Sequence, residues 1–126
     1  MEQTLQEVKR TERGWGGHFV SSHHCEFRRN TLLECGEVKL VVSTVGANTP
    51  KQDGKYYPVN ASGFYETLIF KADRSPYWDI FPSQQVSFDG KWCIETMQGT
   101  VDIEANDMHE AAVHEMTKKL QEGQKV

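Results

Sequence analysis

Residues 27–45 read FRRNTLLECGEVKLVVSTV, and they predict two neighbouring strands joined by a tight turn. Side chains along a strand alternate between two faces. One face of residues 27–35 carries Phe27, Arg29, Thr31, Leu33 and Cys35, and the other carries Arg28, Asn30, Leu32 and Glu34. Gly36 and Glu37 supply the turn. Residues 38–45, VKLVVSTV, are rich in β-branched residues and almost wholly apolar, which predicts a central strand covered on both faces.

Further strand signals follow this pair. Residues 64–72, FYETLIFKA, alternate, and residues 84–95, QQVSFDGKWCIE, predict a hairpin around Asp89-Gly90. Residues 46–63 are rich in turn formers and predict a long loop or a hairpin excursion around Asp53-Gly54. The expected antiparallel sheet therefore spans residues 17–95.

The flanking segments are polar. Residues 1–12, MEQTLQEVKRTE, predict either an arm or one short N-terminal helix. Residues 106–122 predict a C-terminal helix with Asn106 or Asp107 as its cap and Glu110 completing a capping box. Its apolar stripe consists of Met108, Ala112, Val113, Met116 and Leu120. We expect one α+β domain over residues 1–126, with the helix packed on the antiparallel sheet or used in an interface.

Composition limits the function classes. A chain of 126 residues with 37% hydrophobic residues predicts a thin core, which an oligomer interface would supplement. The net charge of −4 argues against non-specific nucleic-acid binding, so a phosphate-bearing ligand needs a local basic patch. Three cysteines favour reduced thiols in a cytoplasm. The apolar runs are far shorter than the ~20 residues of a membrane-spanning helix.

Metal and catalytic readings are weak. His23 and His24 are adjacent, so on a strand only one of them could join a site with His18 or a cysteine. His109 and His114 lie five apart, about 140° around a helix axis, which is unsuitable for sharing a metal. Cys25 or Cys35 with His18 or His24 could form a nucleophilic pair, but buried cysteines are the commoner case.

The triplet Arg28-Arg29-Asn30 is more informative. Guanidinium groups clamp phosphates in bidentate fashion, and an Asn amide can read an adenine edge. Aromatic residues near the loops could stack on bases. These residue types together indicate a nucleotide pocket; the alternative is a pair of solvated or salt-bridged arginines.

Several strings resemble one family of small phage proteins. They are RGWGGHF (13–19), FRRNTLLE (27–34), VVSTVG (41–46), FYETLIF (64–70), YWD (77–79) and MHEAAVHEM (108–116). The chain resembles Thoeris anti-defence proteins of the first type, phage sponges for cyclic ADP-ribose signals, over about residues 9–120 except 47–62. The resemblance implies sequestration of a glycocyclic ADP-ribose signal without cleavage, no catalytic residues and no cofactor. It also implies a homodimer or homohexamer in the cytoplasm of the infected bacterium, with cyclic di- or trinucleotides of CBASS defence held at separate sites.

Roles for individual residues follow from their chemistry and not from the family. We expect Arg28 and Arg29 to contact phosphates and Asn30 to read base or ribose. The candidate stacking rings are Tyr65, Trp78 and Phe88, and Asp79 is the candidate for ribose hydroxyls. Two alternatives stay open: a nucleotide hydrolase or phosphodiesterase with a histidine as acid or base, and a protein-interaction inhibitor using residues 74–82.

Overall fold

The structure of the chain is a computed structural model. The structure describes residues 6–13, 25–49, 53, 55–59, 63–71, 92–95, 97 and 101–124. Its elements are β1 (Lys9–Glu12), β2 (Cys25–Cys35), β3 (Val38–Asn48), β4 (Tyr65–Lys71), β5 (Cys93–Ile94) and α1 (Val101–Gln121). The strands form one antiparallel sheet in the order β1-β2-β3-β4-β5. The predicted α+β class, an antiparallel sheet followed by a C-terminal helix, is confirmed.

The pair β2 and β3 forms the centre of the sheet. Cys35 lies opposite Val38 and the two residues between them make the turn, where Gly36 has a φ of 60° that glycine adopts at little cost. Every residue from Leu40 to Asn48 is buried. The prediction of a central strand covered on both faces is therefore confirmed.

The irregular stretch after β3 doubles back on itself. Two backbone hydrogen bonds, of 3.1 and 2.7 Å, join Asn48 and Tyr57. The Tyr57 hydroxyl donates to Asp53 at 2.7 Å, and the Lys55 backbone N–H donates to the same carboxylate at 2.9 Å. This arrangement agrees with the predicted hairpin excursion near Asp53. Of the second predicted hairpin, the turn at Asp89-Gly90 lies outside the described residues.

Residues Lys9–Glu12 form an edge strand, so neither an arm nor a short helix describes this part of the chain. The strand pairs antiparallel with β2, with Glu12 opposite Thr31. Val8 packs against the core beneath the helix, and the backbone N–H of Gln6 donates to the carbonyl of Gln121 at 3.1 Å. The local sequence predicted a helix or an arm because a short polar segment carries no signal that it will pair with β2. The strand forms through backbone hydrogen bonds to the edge of β2.

The helix α1 begins at Val101, earlier than the predicted start at 106. Asn106 and Asp107 are therefore interior helix residues and not caps. Val101 and Ala105 extend the apolar stripe toward the start and pack against Ala47 and Tyr65. That tertiary contact stabilises the first turn of the helix. The exposed acidic residues of this turn interrupt the helical hydrophobic pattern, so the sequence did not predict it as helix.

One face of α1 covers the sheet. Ala112, Val113, Met116 and Leu120 are buried, as the predicted stripe requires, and Met108 is partly buried. These buried side chains meet Leu33, Cys35, Leu40, Val42 and Ile69 in one core cluster. Burying each large aliphatic side chain contributes about 1.5–3 kcal/mol, so this seam holds helix and sheet together. Among the described residues, no helix has the length and apolar character needed to cross a lipid bilayer.

Candidate ligand-binding site

The two adjacent arginines lie on opposite faces of the sheet. Arg29 is opposite Thr44 and points toward α1, where its Nη1 donates to Asn106 Oδ1 at 2.9 Å. Arg28 is opposite Val45 and lies with Asn30 on the other side, which we call the helix-distal face. The opposite orientation predicted for the pair is confirmed, and within one chain the two guanidinium groups cannot close on the same ligand.

Asn30 is the central residue of the helix-distal face. Arg13 binds it twice: the Arg13 backbone N–H donates to the Asn30 carbonyl at 2.7 Å, and Arg13 Nε donates to Asn30 Oδ1 at 2.7 Å. The Asn30 side chain is only 1% exposed, and its Nδ2 has no hydrogen-bond acceptor among the described residues. A buried donor without an acceptor costs about 1–3 kcal/mol, a cost that an acceptor reaching this amide would remove.

Arg28 lies two residues before Asn30 on the same strand and face and is partly exposed. Its positive charge acts on the nearby Cys25 thiol, whose pKa burial nevertheless raises to about 11. Arg28 and the amide N–H of Asn30 therefore form a pair of donors on the helix-distal face, where Arg13 holds Asn30 in place. Sequence reasoning identified Arg28 and Asn30 but missed Arg13, because Arg13 follows β1 and is far from the triplet in the chain.

Arg29 belongs to an ion-pair cluster with Arg10, Glu12 and Glu110. Arg10 Nη2 lies 2.6 Å from Glu110 Oε2, and Arg10 Nε lies 3.1 Å from Glu12 Oε2. Arg29 Nη1 lies 3.3 Å from Glu110 Oε2, and its Nη2 contacts Glu12. Each arginine thus bridges both glutamates, joining β1 and β2 to α1.

The ion-pair cluster carries no net charge at neutral pH. Burial is the largest influence on Glu12 and would raise its pKa, but hydrogen bonds from Arg10, Thr31 and Arg29 hold the pKa at about 2. The hydrogen bond from Arg10 likewise lowers the pKa of Glu110, and hydrogen bonds to both glutamates raise the pKa of Arg10. The charges of the two arginines and the two glutamates cancel. The positive charge of Arg29 is therefore already neutralised and is not available to bind a phosphate. We therefore assign Arg29 to the helix–sheet contact, in place of the expected phosphate contact.

A buried histidine connects the ion-pair cluster to the core. His109 is 0% exposed, its Nε2 lies 2.7 Å from Thr31 Oγ1, and its Nδ1 lies 2.6 Å from Thr44 Oγ1. Thr44 Oγ1 in turn lies 2.5 Å from Thr67 Oγ1, and the Thr31 hydroxyl donates to Glu12 Oε2 at 2.8 Å. Both ring nitrogens are therefore engaged, and every polar atom of this imidazole is satisfied.

The environment keeps His109 neutral. Burial, and after it the positive charge of Arg29, lowers the pKa of His109 to about 4. Sequence reasoning treated this histidine only as a metal candidate with His114, and missed its position four residues from Ala105 and from Val113 in the apolar stripe. His114 is exposed whereas His109 is enclosed, so the two imidazoles lie in different surroundings on the helix.

Tyr65 is not available as a stacking platform. Its side chain is 1% exposed, its ring packs edge-on against Phe27 with 6.2 Å between centroids, and its hydroxyl donates to Asp102 Oδ1 at 2.9 Å. Burial and the Asp102 hydrogen bond raise its pKa. A ring that the chain itself covers offers no face to a base, which corrects the expected stacking role.

The remaining candidates, Trp78, Asp79 and Phe88, lie outside the described residues, as do His18, His23 and His24. Within the part of the chain that the structure describes, no group of three or more His, Cys, Asp or Glu side chains is arranged to hold a metal ion. Cys25 and Cys35 are buried, and burial with the charges of Glu95 and Glu66 raises the pKa of Cys93.

Comparisons of the chain with protein families, with curated proteins and with solved structures gave no match.

Proposed function

We propose that this chain is a sponge that binds a glycocyclic ADP-ribose signal without cleaving it and so keeps a Thoeris effector inactive. The observation that carries the proposal is a pair of donors on the helix-distal face: the partly exposed Arg28 and the buried amide of Asn30, whose Nδ2 meets no acceptor from the described ranges of the chain. A ligand with two phosphates supplies acceptors and negative charge to match these groups. Cyclic di- and trinucleotides of CBASS signalling are further ligands of the same chemical class.

The position of the family-like strings supports the same proposal. FRRNTLLE lies in β2, VVSTVG in β3, FYETLIF runs into β4, and MHEAAVHEM lies in α1. These segments supply the centre of the sheet, its helix and both members of the pair of donors. The resemblance therefore involves the residues that build the fold and the proposed site together.

Binding without turnover is favoured by the state of two described reactive groups, His109 and Cys25. A general base needs an accessible nitrogen near its substrate, whereas both nitrogens of His109 are bonded to threonine hydroxyls in the core. A nucleophilic cysteine needs a lowered pKa, whereas the pKa of Cys25 is raised to about 11. A sponge needs only affinity, and transition-state stabilisation has no part in it.

Mass spectrometry of the bound molecule tests the proposal. The purified protein is mixed with lysate from cells that make glycocyclic ADP-ribose, washed, and denatured by heat. We expect intact signal to be released. Release of a ring-opened or hydrolysed product would instead identify a hydrolase or phosphodiesterase, and capture of a protein without a small molecule would identify an interaction inhibitor.

Calorimetry then assigns the site. Arg28→Gln should weaken binding of the purified signal at least tenfold, about 1.4 kcal/mol or more, because a charged contact to phosphate is lost. Lys39→Gln is the matched control: Lys39 is a half-buried cation that lies opposite Glu34, near the turn between β2 and β3 and away from Arg28. Equal loss in both variants would show a general charge effect and would remove Arg28 from the site.

We also propose that the chain works as a homodimer or homohexamer in the cytoplasm of the infected bacterial host. A thin core and a partly exposed helix favour assembly, since Ile103 of α1 is 61% exposed. Light scattering of the purified protein measures the mass directly, and a monomer at micromolar concentration would remove this part of the proposal.

A further inference from the structure

We propose that the outer edge of β1 pairs antiparallel with β1 of a second copy of this chain, so that two sheets join into one. The contact surface is Lys9–Glu12, with Thr11 facing Thr11 of the second copy across a twofold axis. This inference rests on the part of the proposed function that makes the chain a homo-oligomer, and it is independent of the ligand.

The strand β1 lies at the end of the sheet. In the part of the chain that the structure describes, it pairs with β2 alone. The side chains of Lys9, Arg10 and Glu12 are exposed, and that of Thr11 is partly buried. An edge strand presents a row of backbone N–H and C=O groups on its outer side, and a further strand can pair with them.

One backbone contact fixes which groups of β1 point outward. The Arg13 N–H donates to the Asn30 carbonyl at 2.7 Å, in continuation of the β1–β2 register. Along an antiparallel strand, residues that bond to the neighbour alternate with residues that do not. Arg13 faces β2, so Thr11 does as well, and the backbone groups of Arg10 and Glu12 point away from β2.

These outward groups complement themselves in one register. When Thr11 faces its own copy, Arg10 lies opposite Glu12 of the second copy, and the two residues exchange backbone hydrogen bonds on each side of the axis. Their side chains share a face, so opposite charges are neighbours. A shift of the register in either direction would place Arg10 opposite Arg10 or Glu12 opposite Glu12, and like charges disfavour both arrangements.

The side chains that meet at this edge are largely neutralised within each chain. Arg10 Nε lies 3.1 Å from Glu12 Oε2, and Arg10 Nη2 lies 2.6 Å from Glu110 Oε2. Pairing therefore brings two neutral ion-pair clusters side by side, without the repulsion by which charged edges prevent association. Lys9 comes to lie opposite Arg13 of the second copy, whose Nε is turned inward to β2.

The proposed pairing separates the interface from the proposed ligand site. Antiparallel pairing of two identical edges places the twofold axis perpendicular to the sheet. The helix α1 of both copies then lies on one face of the joined sheet, and Arg28 of both copies lies on the other. Assembly and ligand binding can therefore be measured independently.

Disulfide trapping tests the register. Thr11→Cys places two thiols in a non-hydrogen-bonded pair, whose Cα atoms lie about 4.5 Å apart, a separation that a disulfide spans. Lys9→Cys is the matched control on the same strand and face, because its copy would lie four residues along the strand, about 14 Å away. Under mild oxidation, Thr11→Cys should form a covalent dimer at least about tenfold faster than Lys9→Cys on a non-reducing gel. The wild-type chain, which has three cysteines, gives the background.

A second variant measures assembly without a disulfide. Thr11→Lys places two ammonium groups opposite each other and should at least halve the mass measured by light scattering. Thr11→Val keeps the β-branched shape and should leave the mass unchanged. Thermal denaturation of both variants separates a change of assembly from a loss of fold. A folded Thr11→Lys chain with the wild-type mass would overturn the inference.

The outcomes separate this inference from the proposed function. If the wild type is an oligomer but Thr11→Cys crosslinks no faster than Lys9→Cys, the homo-oligomer stands and the β1 interface is wrong. If the wild type is a monomer and neither variant crosslinks, both are wrong. If Thr11→Cys crosslinks as expected but the protein captures no glycocyclic ADP-ribose, the interface stands and the proposed ligand is wrong.

A strand from a different protein is the other possible occupant of this edge. Its signature would be a disulfide between Thr11→Cys and a host protein in lysate, without a covalent dimer of the chain. That result would overturn the pairing of two copies.

Discussion

The hydroxyl of Thr31 lies 2.7 Å from Nε2 of His109, although the two residues are 78 positions apart in the chain. This contact joins the centre of β2 to the buried face of α1. On its other nitrogen the same imidazole meets Thr44 of β3 at 2.6 Å. A polar group at the middle of a helix–sheet seam is stabilising only while all of its partners are present, which makes His109 the most sensitive point of the seam.

Replacing His109 by alanine should lower the free energy of unfolding by about 3 kcal/mol or more, because it leaves a cavity and removes one hydrogen-bond partner from each of two buried threonine hydroxyls. Urea denaturation followed by circular dichroism measures the loss. His114→Ala removes an exposed histidine from the same helix and should change stability by less than about 0.5 kcal/mol. Similar effects of the two substitutions would contradict the structural role assigned to His109.

Stability should fall as the pH is lowered from about 6.5 to about 4. The pKa of His109 is lowered from 6.5 to about 4 in the folded chain, so over this range the unfolded chain takes up a proton that the folded chain does not. Unfolding therefore becomes easier as this one proton is taken up, by up to ~3 kcal/mol in total. Denaturation midpoints at a series of pH values measure this. The variant His109→Gln should show a flatter profile, and an equally steep one would assign the effect to other groups.

Arg28 and Arg29 should separate binding from stability. Arg29→Gln removes bridges to both Glu12 and Glu110 and should lower the free energy of unfolding by about 1–2 kcal/mol with little change in ligand affinity. Arg28→Gln should do the reverse. Thermal denaturation of the two variants measures the change in stability, and calorimetry measures the change in ligand affinity. A tenfold loss of affinity in Arg29→Gln would show that Arg29 belongs to the binding site.

Gly46 should tolerate no side chain, whereas Gly36 should tolerate a small one. Gly46 has a φ of 151°, and a Cβ added to it would lie 2.6 Å from two atoms of the Tyr65 ring. Gly46→Ala should therefore cost more than about 3 kcal/mol, since the Cβ would also overlap the backbone carbonyl oxygen of Phe64 and the Tyr65 ring is buried. Gly36 has a φ of 60°, and a Cβ added there would meet no atom of the described residues within 4 Å, so Gly36→Ala should cost about 1 kcal/mol. Equal losses would mean that both the Tyr65 ring and the Phe64 carbonyl can be displaced.

The elements with strong periodicity were predictable from the sequence. The sequence pattern shows which side chains are buried, because burial repeats with the period of a strand or a helix. This holds for the alternation in residues 27–35, the apolar run from residue 38 and the apolar stripe of α1. β1 was not predictable in this way, since its four residues carry largely exposed polar side chains and are held by the available edge of β2. The early start of α1 likewise depends on Tyr65 and Ala47 and not on a local cap.

The candidate site was predictable by residue type and not by arrangement. Alternation placed Arg28 and Arg29 on opposite faces, but only the fold brings Glu12 and Glu110 to Arg29, on the face that Arg28 does not share. Arg13 joined the site through contacts with Asn30, 17 positions away. Long-range pairing of charges therefore decided which arginine remained available for a ligand.

The hydroxyl and carboxylate partners around His109 come from one residue each of β1, β2, β3 and β4: Glu12, Thr31, Thr44 and Thr67. A strand that slipped by one position relative to its neighbours would turn its threonine to the opposite side of the sheet. The imidazole would then be left unsatisfied in the core. The helix should therefore pack stably only on a sheet whose strands are in the native register. Sheets with a shifted register should fail to bind the helix and should be free to rearrange.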